Sequence, residues 1–338
     1  MIKDAIRELA QKKDLTAEQM QGVMQEILSG VTDTADIISF LTSLNDKGET
    51  VEELTAAVTV MLKHVDAIVV DKPNILDTCG TGGDRKGTFN ISTLAAFVAS
   101  GAGLTVAKHG NRSVSSKCGS ADILEALGVN INMSKDRIKK CLEKIGIAFL
   151  FAPNLHPAMK HVMPARKQIG KRTMFNMLGP LINPARATNQ LIGVYSAEWT
   201  KILAHVLYNL GTLHVLVVHG QDGLDEVTTT DRTIISEVNA GKFSDYEIVP
   251  EDFGFRRARL EDLICSDISE NLGIAMDVLK GKKGYHRDIV LLNSGCAIYA
   301  GNKADSIKKG IDLAVESIDS GMALGQLELL KAYSNEKS

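Results

Sequence analysis

The chain changes its hydrophobic period near residue 73. Over the first seventy or so residues, apolar positions recur three and four apart, the spacing of one helix face. Ile2, Ala5, Ile6 and Leu9 begin the pattern, and Met20, Val23, Met24, Ile27 and Leu28 form a second stripe. Ile37, Ile38, Leu41 and Leu44 make a third, and Leu54, Val58, Met61, Leu62 and Val65 a fourth. Thr16 with Gln19 and Thr50 with Glu53 have capping-box spacing, in which each side chain satisfies an orphan N–H of the other residue. Gly30 stands where a glycine just past a helix end belongs, and the third stripe runs up to Gly48. These features predict a small all-helical domain over residues 1–72.

Beyond Pro73, short apolar runs alternate with helical stretches. Ile75-Leu-Asp77 is followed by a glycine-rich loop, a helix from about Ile91, and Leu104-Thr-Val-Ala107. A helix near Ala121 to Leu127 comes next, then strand-like runs at Ile147 to Phe151, Leu191 to Tyr195 and His214 to Val218. Strands separated by helices imply βαβ units. From Ser269 the pattern is helical again, with Ala304 to Ile318 and Leu324 to Leu330 amphipathic. The predicted class is α/β: a small helical domain beside a larger α/β domain with a central mixed, mostly parallel sheet.

A length of 338 residues supports this division, since single cores stop growing at roughly 250 to 300 residues. Thirty-eight Lys and Arg against 41 Asp and Glu leave a formal charge of -3. No general basic field is available for nucleic acid or an acidic membrane, so neither is an expected partner and any anion site must be local. No apolar run approaches the roughly 18 residues needed to cross a bilayer. The alternating charges of Met1 to Leu9 are unlike a signal peptide, which gives a cytoplasmic expectation. The five cysteines contain no C-x-x-C pair, so they suggest neither a disulfide frame nor a zinc site.

Four segments concentrate residues able to do chemistry. Cys79-Gly-Thr-Gly-Gly-Asp84 follows a predicted strand, and its glycines let backbone N–H groups approach an anion. A strand-to-helix turn needs such glycines too, and neither standard phosphate-loop fingerprint fits: Arg85 replaces the third Rossmann glycine, and Thr88-Phe89 follows Gly87 where Walker loops have Lys and Ser or Thr. Asn90-Ile-Ser-Thr93 then opens a helix, either as simple capping or as part of an anion site at its N-terminus. Lys108-His-Gly-Asn-Arg-Ser-Val-Ser-Ser-Lys117 interleaves cations with small donors, as a diphosphate requires, although a solvated loop also tolerates cations. Gly223-Leu-Asp-Glu-Val227 places two adjacent carboxylates after a strand; this is either surface charge or an oxygen-ligand site for Mg²⁺. Pro153-Asn-Leu-His-Pro157 leads through a helix start to Arg166, which faces either solvent or an anionic group.

Taken together, the sequence resembles the anthranilate phosphoribosyltransferases. The resemblance rests on Gly80-Thr-Gly-Gly-Asp84, Asn90-Ile-Ser-Thr93, Lys108-His-Gly-Asn-Arg112 with Ser115-Ser116, Gly119-Ser-Ala-Asp122, His156-Pro-Ala-Met159, Phe175-Asn-Met-Leu-Gly-Pro180 and Leu224-Asp-Glu226. It spans nearly the whole chain; Ser113 stands where an alanine is common. It implies a nucleoside phosphorylase/phosphoribosyltransferase-like architecture: a helical domain 1–72, joined by a return segment at about 165–184 and used for homodimerisation, and an α/β domain of 73–164 and 185–338. The implied reaction moves the 5-phosphoribosyl group of phosphoribosyl pyrophosphate (PRPP) to the amine of anthranilate, releasing pyrophosphate, in tryptophan biosynthesis.

The same resemblance implies the site. Gly80, Gly82, Gly83, Asp84, Thr88, Asn90, Ile91, Ser92, Thr93 and the run Lys108, His109, Gly110, Asn111, Arg112, Ser113, Val114, Ser115, Ser116, with Ser120, would hold the donor. Ser92, Asp225 and Glu226 would hold Mg²⁺. Asn111 and Arg166 would contact anthranilate, with His109, His156 and Pro180 around its approach, and Lys108, His109, Asn111 and Arg166 would stand nearest the chemistry. Two relatives are disfavoured: a pyrimidine nucleoside phosphorylase has different donor loops, and a nucleic-acid-binding relative would carry a basic surface and lack Asp225-Glu226.

Overall fold

The computed structural model describes residues 1–112 and 118–336. Four helices come first: α1 (Ile2–Ala10), α2 (Ala17–Leu28), α3 (Thr34–Lys47) and α4 (Val51–Lys63). Both capping boxes form, with Thr16 Oγ1 accepting from Gln19 N at 3.2 Å and Thr50 Oγ1 accepting from Glu53 N at 3.2 Å. Glu53 does more than cap. Its fully buried carboxylate also accepts from Leu15 N at 2.9 Å and from Lys47 Nζ at 2.9 Å, tying three segments of the helical layer together.

The remainder alternates between strands and helices: β1 (Leu76–Gly80), α5 (Ile91–Gly101), β2 (Val106–Gly110), α6 (Ser120–Ala126), α7 (Lys135–Lys144) and β3 (Ile147–Phe151). Short helices α8 (Ala152–Leu155), α9 (Met163–Ile169) and α10 (Phe175–Leu178) follow, then β4 (Asn189–Gly193), α11 (Glu198–Asn209), β5 (His214–Gly220), β6 (Thr233–Asn239) and β7 (Lys242–Ile248). The chain closes with α12 (Ile268–Leu279), α13 (Tyr285–Ala300), α14 (Ile307–Asp319) and α15 (Met322–Asn335). Among the described residues, no helix is long and apolar enough to cross a membrane.

One seven-stranded sheet runs in the order β3-β2-β1-β4-β5-β6-β7. The first five strands are parallel, and β6 and β7 add an antiparallel hairpin at one edge. Strands β1 to β3 build outward in one direction, after which the chain crosses to β4 on the other side of β1. The carboxyl ends of β1 and β4 therefore flank a topological switch point, where open α/β sheets leave a crevice for ligands.

The two sheet faces bury different partners. Leu191, Leu216 and Val218 pack toward α5 and α13, whereas Ile192, Val194, Val215 and Val217 pack with the helical layer. Val162, Ala165, Met174, Phe175 and Leu178, between β3 and β4, join that second core. Alternation along β4 and β5 thus anchors the helices directly on the sheet, beside the switch point.

Candidate active site

The glycine loop after β1 and the acidic segment after β5 meet above the switch point. Gly82 N donates to Asp225 Oδ2 at 2.7 Å, and Ser92 N, in the first turn of α5, donates to Glu226 Oε1 at 3.2 Å. This approach needs bare strand ends. A Cβ on Gly80 would stand 2.6 Å from Asp225 Oδ2, and one on Gly193 only 1.6 Å from the Asp225 carbonyl oxygen. Within the loop, Gly82, Gly83, Arg85 and Gly87 all have positive φ, so even the non-glycine Arg85 holds a left-handed conformation at 59°.

The carboxylates are short of positive charge. Desolvation and the neighbouring Asp84 raise the Asp225 pKa, while desolvation and Asp225 raise that of Glu226, with Lys108 opposing. Lys108 is buried at the middle of β2; its Nζ donates to the Thr78 carbonyl and reaches Ser92 Oγ at 3.4 Å. Lys108, Ser92 and Glu226 thus share one corner.

The start of α5 is not merely capped. Asn90 makes no capping bond to its own helix; its Oδ1 accepts from Asn271 Nδ2 at 2.8 Å, and its Nδ2 donates to the Cys118 carbonyl at 3.4 Å. Ile91 and Thr93 turn their side chains into the core, where Thr93 Oγ1 has no partner among the described residues. The Ile91 N–H donates to the Phe89 carbonyl at 2.8 Å. Thr88 pairs through its backbone with Ile264.

The loop after β2 divides. Asn111 is exposed, and its carbonyl accepts from Ser120 Oγ at 3.2 Å. Arg112 turns to Asp122 at 2.7 Å and Glu125 at 2.6 Å on α6, so its charge is spent locally rather than aimed at the glycine loop. Gly110 passes tightly beneath, since a Cβ there would meet Ser120 Oγ at 2.3 Å. Ser113, Val114, Ser115 and Ser116 lie outside the described residues.

A second region faces the helical layer. His109 and His156, both buried, bring their Nε2 atoms to 3.0 Å. Burial and the His156 ring push the His109 pKa down to about 3, and burial pushes that of His156 to about 4, so both rings are neutral near pH 7. Pro180 is buried, its carbonyl accepting from Gln190 Nε2 at 3.0 Å. Arg166 on α9 is half-buried, and desolvation lowers its pKa. Among the described residues it has no carboxylate partner, its Nη1 meeting only the Met163 thioether at 4.0 Å.

Several residues that support these groups carry no local sequence signal. Fully buried Asn293 on α13 donates to the Val227 carbonyl at 2.7 Å and accepts from Val227 N at 2.9 Å, clamping the residue after Glu226. Asn271 does the same service for Asn90. Asp77 accepts from His109 N at 3.1 Å and from Asn183 Nδ2 at 2.7 Å, joining β1, β2 and the segment before β4. Arg172 donates to the Gly83 carbonyl. Asparagines on predicted helices and a basic residue in a Lys-rich stretch look ordinary until the fold shows their partners.

Residues 3–65 match the sequence model of the glycosyl transferase family, helical bundle domain, and residues 72–324 that of the glycosyl transferase family, a/b domain. An anthranilate phosphoribosyltransferase of Alkaliphilus metalliredigens is 48% identical over 336 residues, covering 99% of both chains. One from Methanobrevibacter smithii is 49% identical over 335 residues, covering 99% of this chain and 100% of its own. The chain belongs to the anthranilate phosphoribosyltransferase family. Among solved structures, the anthranilate phosphoribosyltransferase of Thermus thermophilus superposes with a TM-score of 0.94 at 41% identity, over 98% of this chain and 100% of that one. The Saccharomyces cerevisiae anthranilate phosphoribosyltransferase in complex with PRPP and Mg gives a TM-score of 0.89 at 30% identity, over 98% and 97%.

For an anthranilate phosphoribosyltransferase that takes a metal, this donor set is suitable but incomplete. Among the described residues no three His, Cys, Asp or Glu side chains form a ready cage. Asp225 and Glu226, crowded and part-desolvated, supply hard oxygen ligands and surplus negative charge. Mg²⁺ is characteristically held by one or two carboxylates together with substrate phosphates and water. The residues present fit that mode.

Proposed function

We propose that this chain transfers the 5-phosphoribosyl group from PRPP to the amine of anthranilate, releasing pyrophosphate. The observation that carries the reading is the convergence at the switch point: the glycine loop, the start of α5, Lys108 and two crowded carboxylates on one side, with Arg166, which has no counter-ion among the described residues, on the other.

In this reading the loop Gly80 to Asp84, the backbone from Thr88 to Thr93, Lys108 and the loop through Ser120 hold PRPP. Ser92, Asp225 and Glu226 hold Mg²⁺, whose chemistry when bound is to neutralise the charge gathering on pyrophosphate. The Lys108 ammonium, fixed by Thr78 and Ser92, acts on the same developing charge and so favours the transition state over the ground state. Arg166 takes the anthranilate carboxylate, and Asn111 lies at the acceptor's edge. The C1–O electron pair leaves with pyrophosphate, the amine lone pair forms C1–N, and the ammonium nitrogen so formed then releases its proton to water. The protein's part in that step is alignment, so no covalent nucleophile is required. His109 shapes the acceptor side rather than taking the proton: its ring is occupied by His156 and the Gly179 backbone, and its basicity is depressed. Arg112 supports its loop through α6.

The test is loss of anthranilate fluorescence on addition of PRPP, with and without Mg²⁺. Metal-dependent loss is expected; folded protein with no turnover, or equal turnover after chelation, would refute the assignment.

The reading also includes a homodimer formed through the helical domain of residues 1–72 and the return segment. Val31 supports it, being 76% exposed between α2 and α3. Light scattering at micromolar concentration should give twice the chain mass; a monomer mass would remove this part alone.

A further inference from the structure

The glycine loop and the segment carrying Arg166 approach the site from different directions, and one side chain joins them. Arg172 follows α9 and the left-handed Gly170, whose φ is 61°. Its Nη2 donates to the Gly83 carbonyl, while its guanidinium carbon stands 3.7 Å from the centroid of the Tyr195 ring, just beyond β4. The planar group therefore stacks through its face and donates through its edge, a combination unavailable to a lysine ammonium. Among the described residues, no ion pair draws Arg172 elsewhere.

The ends of the loop are held by backbone bonds, Thr81 N donating to the Gly193 carbonyl at 2.9 Å and the Gly87 carbonyl accepting from Cys265 N at 2.9 Å, which leaves its middle to Asp225 and Arg172. A Cβ on Gly83 would lie 3.1 Å from Arg172 Nη2, so the guanidinium rests against bare backbone. Gly82 N is committed to Asp225, and Gly83 and Arg85 both have positive φ. One bond thus fastens the loop to the carboxylates, and the next residue's carbonyl fastens it to the Arg166 segment.

We propose that Arg172 is a positioning residue: it holds the glycine loop in its donor-binding shape and ties that shape to the acceptor-binding segment. The functional part of this inference rests on the reaction assigned above. Its structural part is tested without turnover, by hydrogen–deuterium exchange of the ligand-free full chain as wild type, Arg172→Ala and Arg172→Lys. Both variants should exchange several-fold faster over residues 81–87, with α1 to α4 unchanged. In steady state, both should raise the KM for PRPP about five- to tenfold, less than the loss of a charge-assisted hydrogen bond to the substrate itself because Arg172 acts only through the loop, while kcat stays within about twofold. Wild-type exchange over the loop in Arg172→Ala would overturn the proposal. So would restoration of both readouts by Arg172→Lys, which would show that charge alone suffices. An inactive wild type would refute the reaction instead and leave the exchange result readable.

Discussion

The donor and acceptor halves of the site are built by opposite means. On the donor side, backbone N–H groups at Gly82 and Ser92 already engage Asp225 and Glu226, and Asn271 and Asn293 fix the flanking segments through paired amide bonds. This half is pre-organised by hydrogen bonds, and among the described residues Lys108 is the cation that opposes the charge of its two crowded carboxylates. The acceptor half holds neutral, buried His109 and His156 and a cation, Arg166, with no carboxylate partner among the described residues. In the proposed reading each half is electrostatically complementary to a different group, one a metal-bound polyanion and the other a monocarboxylate. Arg172 touches the boundary between them.

The harshest challenge to this division is removal of the carboxylates. Asp225→Asn combined with Glu226→Gln keeps much of the shape but abolishes the oxygen charge, so Mg²⁺ binding and stabilisation of the leaving pyrophosphate should fail together. Several kcal/mol of transition-state stabilisation are at stake, corresponding to a loss of about a hundredfold or more in kcat/KM for PRPP. The KM for anthranilate should stay within about threefold, since these groups act on the acceptor only through the donor. Kinetics with each substrate varied across a Mg²⁺ series would measure this. Equal losses for both substrates would dissolve the distinction between the halves.

How far the sequence could be read follows the same boundary. The helices were legible because amphipathic spacing and capping boxes are local, and β3 appears where its apolar run lies, at Ile147–Phe151. Strands β1, β2 and β5 run further toward the loops than the apolar runs suggest, because their ends carry Cys79-Gly80, Lys108 to Gly110 and His219-Gly220 toward the crevice. The β6–β7 hairpin left little trace. Its two-residue turn is Ala240-Gly241, with φ of 48° and 81°, rather than the usual Asn-Gly, and Glu237, Asp245 and Glu247 interrupt its apolar pattern. In the site, glycine-rich and acidic motifs announce candidate donor chemistry, whereas Asn271, Arg172 and Asn293 act on partners 181, 89 and 66 residues away and Gly193 meets Asp225 from another strand. Their meaning resides in contacts that no spacing rule encodes. Arg112 shows the reverse limit: the resemblance counts this cation among the donor-binding residues, and the fold pairs it with Asp122 and Glu125 of α6.

The smaller and more discriminating challenge is Arg166→Ala. Desolvation already penalises this guanidinium, so it is held in its charged form at a cost that an incoming carboxylate would offset. Truncation should forfeit a charge-assisted hydrogen bond of about 1.5 to 3 kcal/mol, raising the KM for anthranilate by about ten- to a hundredfold. PRPP binding, followed by calorimetry in the presence of Mg²⁺, should remain within about twofold, because Arg166 makes no bond to the glycine loop or the carboxylates among the described residues. Arg166→Lys should recover only part of the loss, since an ammonium keeps the charge but not the planar fork that matches a carboxylate. If Arg166→Ala instead weakened PRPP binding as strongly as it raised the anthranilate KM, Arg166 would belong to the donor half, and the acceptor carboxylate would have to be met by some other cation.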